Sequence, residues 1–312
     1  MWGFFKKLII ADRIAIPVNE LFENAPNYNG FLLLLGTIMY GIQVYTDFSA
    51  GMEIARGFSQ MLSIDLDLNF NQPYHAISIE DFWRRWHITL GSFMKDYVFY
   101  PLSLSKLNMN LGKKCRKLFG VTIGKKIPII IVMFIVYLLV GFWHGAEWKY
   151  VAYGIWNGTF IASTILLEPF YNKLKKALSI NDKSHDYIFF QRFRTFVIVS
   201  LGRLFPRAPS LMKALFMMGR ITTGWWYIQG LFDKTLLKLG LNTAEWLVLV
   251  VGIIILFIVD YLHEHGKSIR NIIANQSIIV RWAIYYAIII IIVVFGVYGP
   301  MYGATSFIYQ QF

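Results

Sequence analysis

The chain alternates long apolar runs with short polar and charged stretches. Runs at 31–46, 127–143, 149–167, 188–205, 246–262 and 282–298 predict membrane-spanning helices. The run at 127–143 spans with tilt or local thinning of the bilayer. The one at 188–205 is a poor span because Arg192, Arg194 and Arg203 interrupt it. Gly36 and Gly41 in the first run permit close helix packing. Residues 1–16 predict a short amphipathic or connecting helix. Leu8-Ile9-Ile10 is cut off by Ala11-Asp12-Arg13, too soon for the core of a secretory signal. Between 47 and 80 the pattern breaks. Asp47, Glu53, Arg56, Asp65, Asp67 and the stretch Asn69–Tyr74 leave no room for a continuous span. Polar backbone at membrane depth must be buried in protein or line a wet cavity, so broken or re-entrant helices are expected there. Ser78 followed by Asp81 marks a helix start.

Composition agrees with an integral membrane protein. Of 312 residues, 56% are hydrophobic and 15% charged, against about 25% charged in soluble domains. The expected fold is all-α and polytopic, one membrane-embedded domain over 1–312, without an internal repeat. The net charge of +12 is a matter of topology. Lys106, Lys113, Lys114, Arg116, Lys117, Lys125 and Lys126 occur without an acid between them, which predicts a cytoplasmic loop at 106–126. Alternating helices then bring Lys173, Lys175 and Lys176, and later Lys267 and Arg270, to the same side, and leave the C-terminal tail outside. The 106–126 run could also attract an anionic cofactor or carrier. No basic, aromatic-studded soluble domain is visible, which argues against nucleic acid. The single cysteine, Cys115, excludes an intrachain disulfide and a multi-cysteine metal site.

Candidate chemistry rests on two histidines. His87 lies in Phe82-Trp83-Arg84-Arg85-Trp86-His87 and His144 in Gly141-Phe142-Trp143-His144-Gly145. An ionisable group near a bilayer needs a partner, a cavity or a function. Each could equally be an interfacial histidine among belt aromatics. Arg84 and Arg85 read as headgroup anchors or partners of Asp81. Asp47 reads as a buried partner for a cation, or a helix cap. His263-Glu264-His265 lacks the spacing of four that places two ligands on one helix face, so no metal site is expected.

Several blocks resemble the membrane-bound O-acyltransferase superfamily, in its bacterial branch with the alginate O-acetyltransferase and the teichoic acid D-alanyl transferase. They are Tyr45-Thr46-Asp47-Phe48-Ser49, Asn69-Phe70-Asn71-Gln72-Pro73-Tyr74, Asp81–Leu90, Lys95–Leu102, Gly141–Ala146 and Phe307–Phe312. Tyr100-Pro101-Leu102-Ser103-Leu104-Ser105 leans toward the polysaccharide O-acetylases. Two departures stand out. The chain resembles a member lacking its N-terminal helices, and Ala50-Gly51-Met52-Glu53 replaces the family's usual continuation.

The resemblance implies a helical funnel in the bacterial cell membrane. It implies transfer of an acyl group, acetyl above all, from a cytoplasmic thioester to hydroxyls of an extracytoplasmic polysaccharide or cell-wall polymer. The donor would be acetyl-CoA or another acyl thioester, with no bound cofactor. His144 would be the general base and His87 an orienting group. Asp47, Asn71, Trp83, Arg84, Arg85, Trp86 and Trp143 would bind substrate or support the site. An extracytoplasmic acyl-accepting or esterase-like partner protein and membrane lipid complete the expected partners. D-alanyl transfer to teichoic acid stays open, as do a lipid-linked glycan transporter or flippase and a non-catalytic membrane scaffold.

Overall fold

A computed structural model describes residues 1–228 and 235–298. The described residues are overwhelmingly helical, with no strand and one isolated bridge between Phe70 and Trp86. In chain order the helices are α1 (Trp2–Phe5), α2 (Asp12–Glu23), α3 (Gly30–Met61), α4 (Ile79–Arg85), α5 (Ile88–Met94), α6 (Tyr100–Ser103), α7 (Lys106–His144), α8 (Trp148–Ala177), α9 (His185–Arg207), α10 (Leu211–Gly224), α11 (Thr243–Glu264), α12 (Ile269–Ala274) and α13 (Ile278–Phe295). Five of them, α3, α7, α8, α11 and α13, are long and apolar enough to cross a membrane. The protein is an all-α membrane protein. The C-terminal tail and the Phe307–Phe312 motif lie outside the described residues.

The chain forms two compact units, one from Met1–Asp67 with the residues from Leu215 onward, the other from Leu68–Ala214. In the first, α1 passes through a π-helical stretch, Lys6–Ala11, into α2. This segment is core rather than connector: Ile10, Ile14, Leu21 and Phe22 are fully buried. It also explains a departure from expectation. α3 does not end near Asp47 but continues to Met61. Lys7 Nζ lies 2.6 Å from Asp47 Oδ1 and 2.9 Å from Asp12 Oδ1, and Lys6 Nζ donates to Ser49 Oγ and Glu53 Oε1, each at 2.7 Å. Two of the charges that break the hydropathy pattern, Asp47 and Glu53, are met by lysines 40 and 47 residues away, and Asp47 is buried within the helix.

The second unit overturns the predicted loop at 106–126, which is helical. α7 is two helical arms joined at Gly120, whose φ of 75° lies in the left-handed region that glycine adopts without strain. The arms fold onto each other. A Cβ on Gly124 would fall 2.5 Å from the Arg116 Cα, and Cys115 is buried in the crossing. The second arm packs against α8 at similarly close range, where a Cβ on Gly141 would meet the Tyr150 carbonyl oxygen at 2.4 Å. Trp156 Nε1 of α8 donates to the Ile198 carbonyl of α9 at 3.1 Å. α9 forms over the weak run at 188–205 but is not among the five apolar helices. Its arginines are turned to protein groups: Arg192 to the His75 carbonyl and Arg194 to the Ile77 carbonyl.

Candidate active site

The second unit carries both histidines. α4 starts as expected, with the Ser78 hydroxyl accepting from the Asp81 N–H at 3.1 Å. It stops at Arg85 because the chain turns back on an extended segment. The Asn71 N–H donates to the Arg85 carbonyl and the Ile88 N–H to the Asn69 carbonyl, each at 3.0 Å. Between these bonds Phe70 bridges to Trp86. His87 sits at the turn with φ 47° and ψ 56°, a conformation uncommon for a non-glycine residue. α5 then runs on, with Met94 packed against Val136 and Val140 of α7, and Trp83 and Leu90 beside them. This packing sets the turn against the C-terminal end of α7, where Trp143 and His144 stand.

The geometry follows. The His87 and Trp143 ring centroids are 5.8 Å apart, and those of Trp143 and His144 4.9 Å. Trp143 thus touches both imidazoles, which sit 57 positions apart in sequence. Tyr150 stacks on His144 at 6.3 Å and Tyr153 meets it edge-on at 5.7 Å. His87 Nδ1 lies 3.0 Å from Asn69 Oδ1, which also receives the Thr89 backbone N–H at 3.3 Å and the Thr89 hydroxyl at 2.8 Å. A backbone N–H can only donate, so this Asn69 atom is the carbonyl oxygen, and His87 Nδ1 carries the hydrogen. The basic lone pair of His87 is therefore on Nε2. Burial pushes the His87 imidazole down to about 4, so it is neutral at pH 7.

The other expected site residues divide. Trp86 is buried, T-shaped against Phe70 at 4.9 Å and stacked on Phe82 at 5.5 Å. The Trp83 ring lies 5.4 Å from Tyr137, and its Nε1 is buried without an acceptor among the described residues. Arg85 pairs with Asp81 at 3.2 Å and reaches the Asn71 carbonyl at 3.4 Å, so it braces the extended segment. Arg84 is exposed and only loosely paired, 3.7 Å from both Glu80 and Asp81. Asp47 belongs to the first unit, where Lys7 neutralises it mid-helix. Two further residues emerge. Asn69 sets the His87 tautomer. Arg203, buried on α9, lays its guanidinium 4.1 Å from the Trp86 ring centroid and 5.4 Å from that of Phe82, and donates to the Tyr74 hydroxyl.

The chain is 30% identical over 277 residues to the probable alginate O-acetylase AlgI of Pseudomonas syringae pv. tomato, covering 86% of this chain and 47% of that protein. It is 31% identical over 220 residues to the peptidoglycan O-acetyltransferase of Helicobacter pylori, covering 68% and 36%. The chain is a homologue of the bacterial membrane-bound O-acyltransferases. A teichoic acid D-alanyltransferase of Streptococcus thermophilus matches at 29% over 162 residues, 51% of this chain and 37% of that protein. The chain spans less than half the length of these relatives. No family model matches it.

Proposed function

We propose that this chain catalyses O-acyl transfer in the bacterial cell membrane, moving an acetyl group from a cytoplasmic thioester to a hydroxyl of an extracytoplasmic polysaccharide or cell-wall polymer. The observation that carries the proposal is the convergence of His87 and His144 on Trp143, in a chain whose relatives are named for O-acetyl transfer to such polymers. Acetyl is preferred over D-alanyl because the O-acetylase matches extend over more of the chain.

A hydroxyl is a poor nucleophile at neutral pH and needs a positioned base. His144 takes the acceptor's O–H proton as its oxygen attacks the thioester carbonyl. The C–S bond breaks, and the thiolate leaves with that proton, giving an ester and a free thiol. His87, held by Asn69 with its lone pair on Nε2, orients the acceptor or the thioester as a neutral group. Trp143 fixes the spacing of the two rings. No cysteine lies at this site, and none is required for direct transfer.

The test uses the chain in vesicles with acetyl-CoA labelled in the acetyl group. Label should appear on a hydroxyl-bearing polymer across the membrane, and only when the thioester is supplied. Movement of a lipid-linked glycan without any acyl donor would identify a transporter instead. Partner binding with no release of acetyl would identify a scaffold.

A further inference from the structure

The two arms of α7 enclose a groove of about 340 Å³ lined by Asn108, Met109, Lys113, Arg116, Lys125 and Pro128, with Gly112 and Gly124 at its floor. Its three cations are exposed, and among the described residues none of Lys113, Arg116 and Lys125 has an ion pair or a side-chain hydrogen bond. The neighbouring Lys126 is different, bound to Glu168 at 2.9 Å and to the Ile165 carbonyl at 2.6 Å. No acid occurs between 106 and 126. Three like charges gathered on one helical hairpin make a local positive field that attracts an anion. An arginine fork beside two ammonium groups suits a phosphate.

The surroundings point to the source of that phosphate. Leu107, Leu118 and Val121 are exposed on the same hairpin, Leu107 by 83% and Leu118 by 76%. The second arm runs from Lys125 directly into the apolar stretch 127–143. Cations at the end of an apolar helix, ringed by exposed aliphatic groups, fit the boundary between headgroups and acyl chains.

We propose that this groove is a binding site for the headgroup of an anionic phospholipid, whose acyl chains lie along the exposed aliphatic side chains. It is independent of the acyl-transfer reading.

The test is retention of phosphatidylglycerol against phosphatidylcholine by the purified chain, followed by native mass spectrometry. The variant Lys113→Gln/Arg116→Gln/Lys125→Gln should bind phosphatidylglycerol about a hundredfold more weakly, at about fivefold per charge. Lys125→Gln alone should lose about fivefold and reports the site if the triple variant misfolds. Removing the same charge at Lys173, Lys176 and Lys183 should leave retention nearly unchanged. Equal retention of the two lipids, or equal losses in the two triple variants, would overturn the site. Displacement of the lipid by inorganic phosphate at equal concentration would assign the groove to a free phosphate ligand and overturn the lipid assignment.

Discussion

The His87 Nδ1–H donates to Asn69 Oδ1 at 3.0 Å, and the same oxygen is anchored by both the backbone N–H and the hydroxyl of Thr89. One asparagine therefore sets the tautomer of an imidazole 18 residues away and ties it to the start of α5. Asn69→Ala should lower acyl transfer by about tenfold, the rate equivalent of the roughly 1–1.5 kcal/mol of a hydrogen bond that fixes the imidazole. Asn69→Asp should place a carboxylate on His87, favour the imidazolium and raise its pKa. Its activity should then fall between pH 8 and pH 6, where the parent chain holds a neutral His87. Matching pH profiles for the two proteins would remove Asn69 from this role.

Burial holds His87 at about 4 in the folded state, against about 6.5 for an unfolded histidine. The unfolded chain thus takes up the proton first. The stability tied to neutral His87 is fully present above about pH 6.5 and is lost as pH falls through about 4. His87→Gln cannot titrate. The difference in thermal midpoint between parent and variant should shift against the parent as pH drops from 7 to 4.5. A constant difference across that window would show that His87 is not held neutral by folding.

Arg203 covers Trp86 and Phe82 with a flat cation. A lysine has neither the plane nor the fork. Arg203→Lys should cost about 1–2 kcal/mol, the scale of a desolvated cation–π contact. Arg203→Ala should cost about 2–4 kcal/mol by adding a cavity and removing the guanidinium that donates to the Tyr74 hydroxyl. Denaturation in detergent measures both, and a negligible cost for Arg203→Lys beside a large one for Arg203→Ala would mean that Arg203 acts by bulk alone.

Asp47 and Lys7 form a buried pair at 2.6 Å. Burial works to lower the Lys7 pKa, but Asp47 and Asp12 outweigh it, and the lysine is held above its ordinary value. Lys7 keeps Asp12 at 2.9 Å when Asp47 is removed, whereas Lys7→Met takes the cation from both acids: Lys7→Met should destabilise by about 3–5 kcal/mol and Asp47→Leu by less. The double variant should cost clearly less than the sum. Additive losses would show that the two side chains do not stabilise each other.

Much of the fold and part of the site were legible in the sequence. Trp86-His87 and Trp143-His144 stood out as ionisable groups set in aromatic, membrane-grade stretches, and they do meet through Trp143. Which asparagine serves His87 was not legible. Asn69 and Asn71 look alike in the chain, and only the antiparallel register of 69–71 against 85–88 turns the Asn69 amide onto the imidazole. The continuation of α3 past Asp47 was hidden for a related reason: hydropathy counts a charge but not the partner 40 residues away. The basic stretch 106–126 read as a loop because its charge said so, although only Gly120 is non-helical within α7.

The account turns on His144 acting as the base. General-base catalysis is typically worth 10²–10⁴-fold, about 3–5 kcal/mol of barrier. The decisive measurement is the turnover of acetyl transfer in vesicles for His144→Ala beside the parent chain, with size exclusion confirming that both are monodisperse. The account predicts a loss of about 10²-fold or more in a well-folded variant, with a smaller loss for His87→Ala. Near-parental turnover in folded His144→Ala would contradict it.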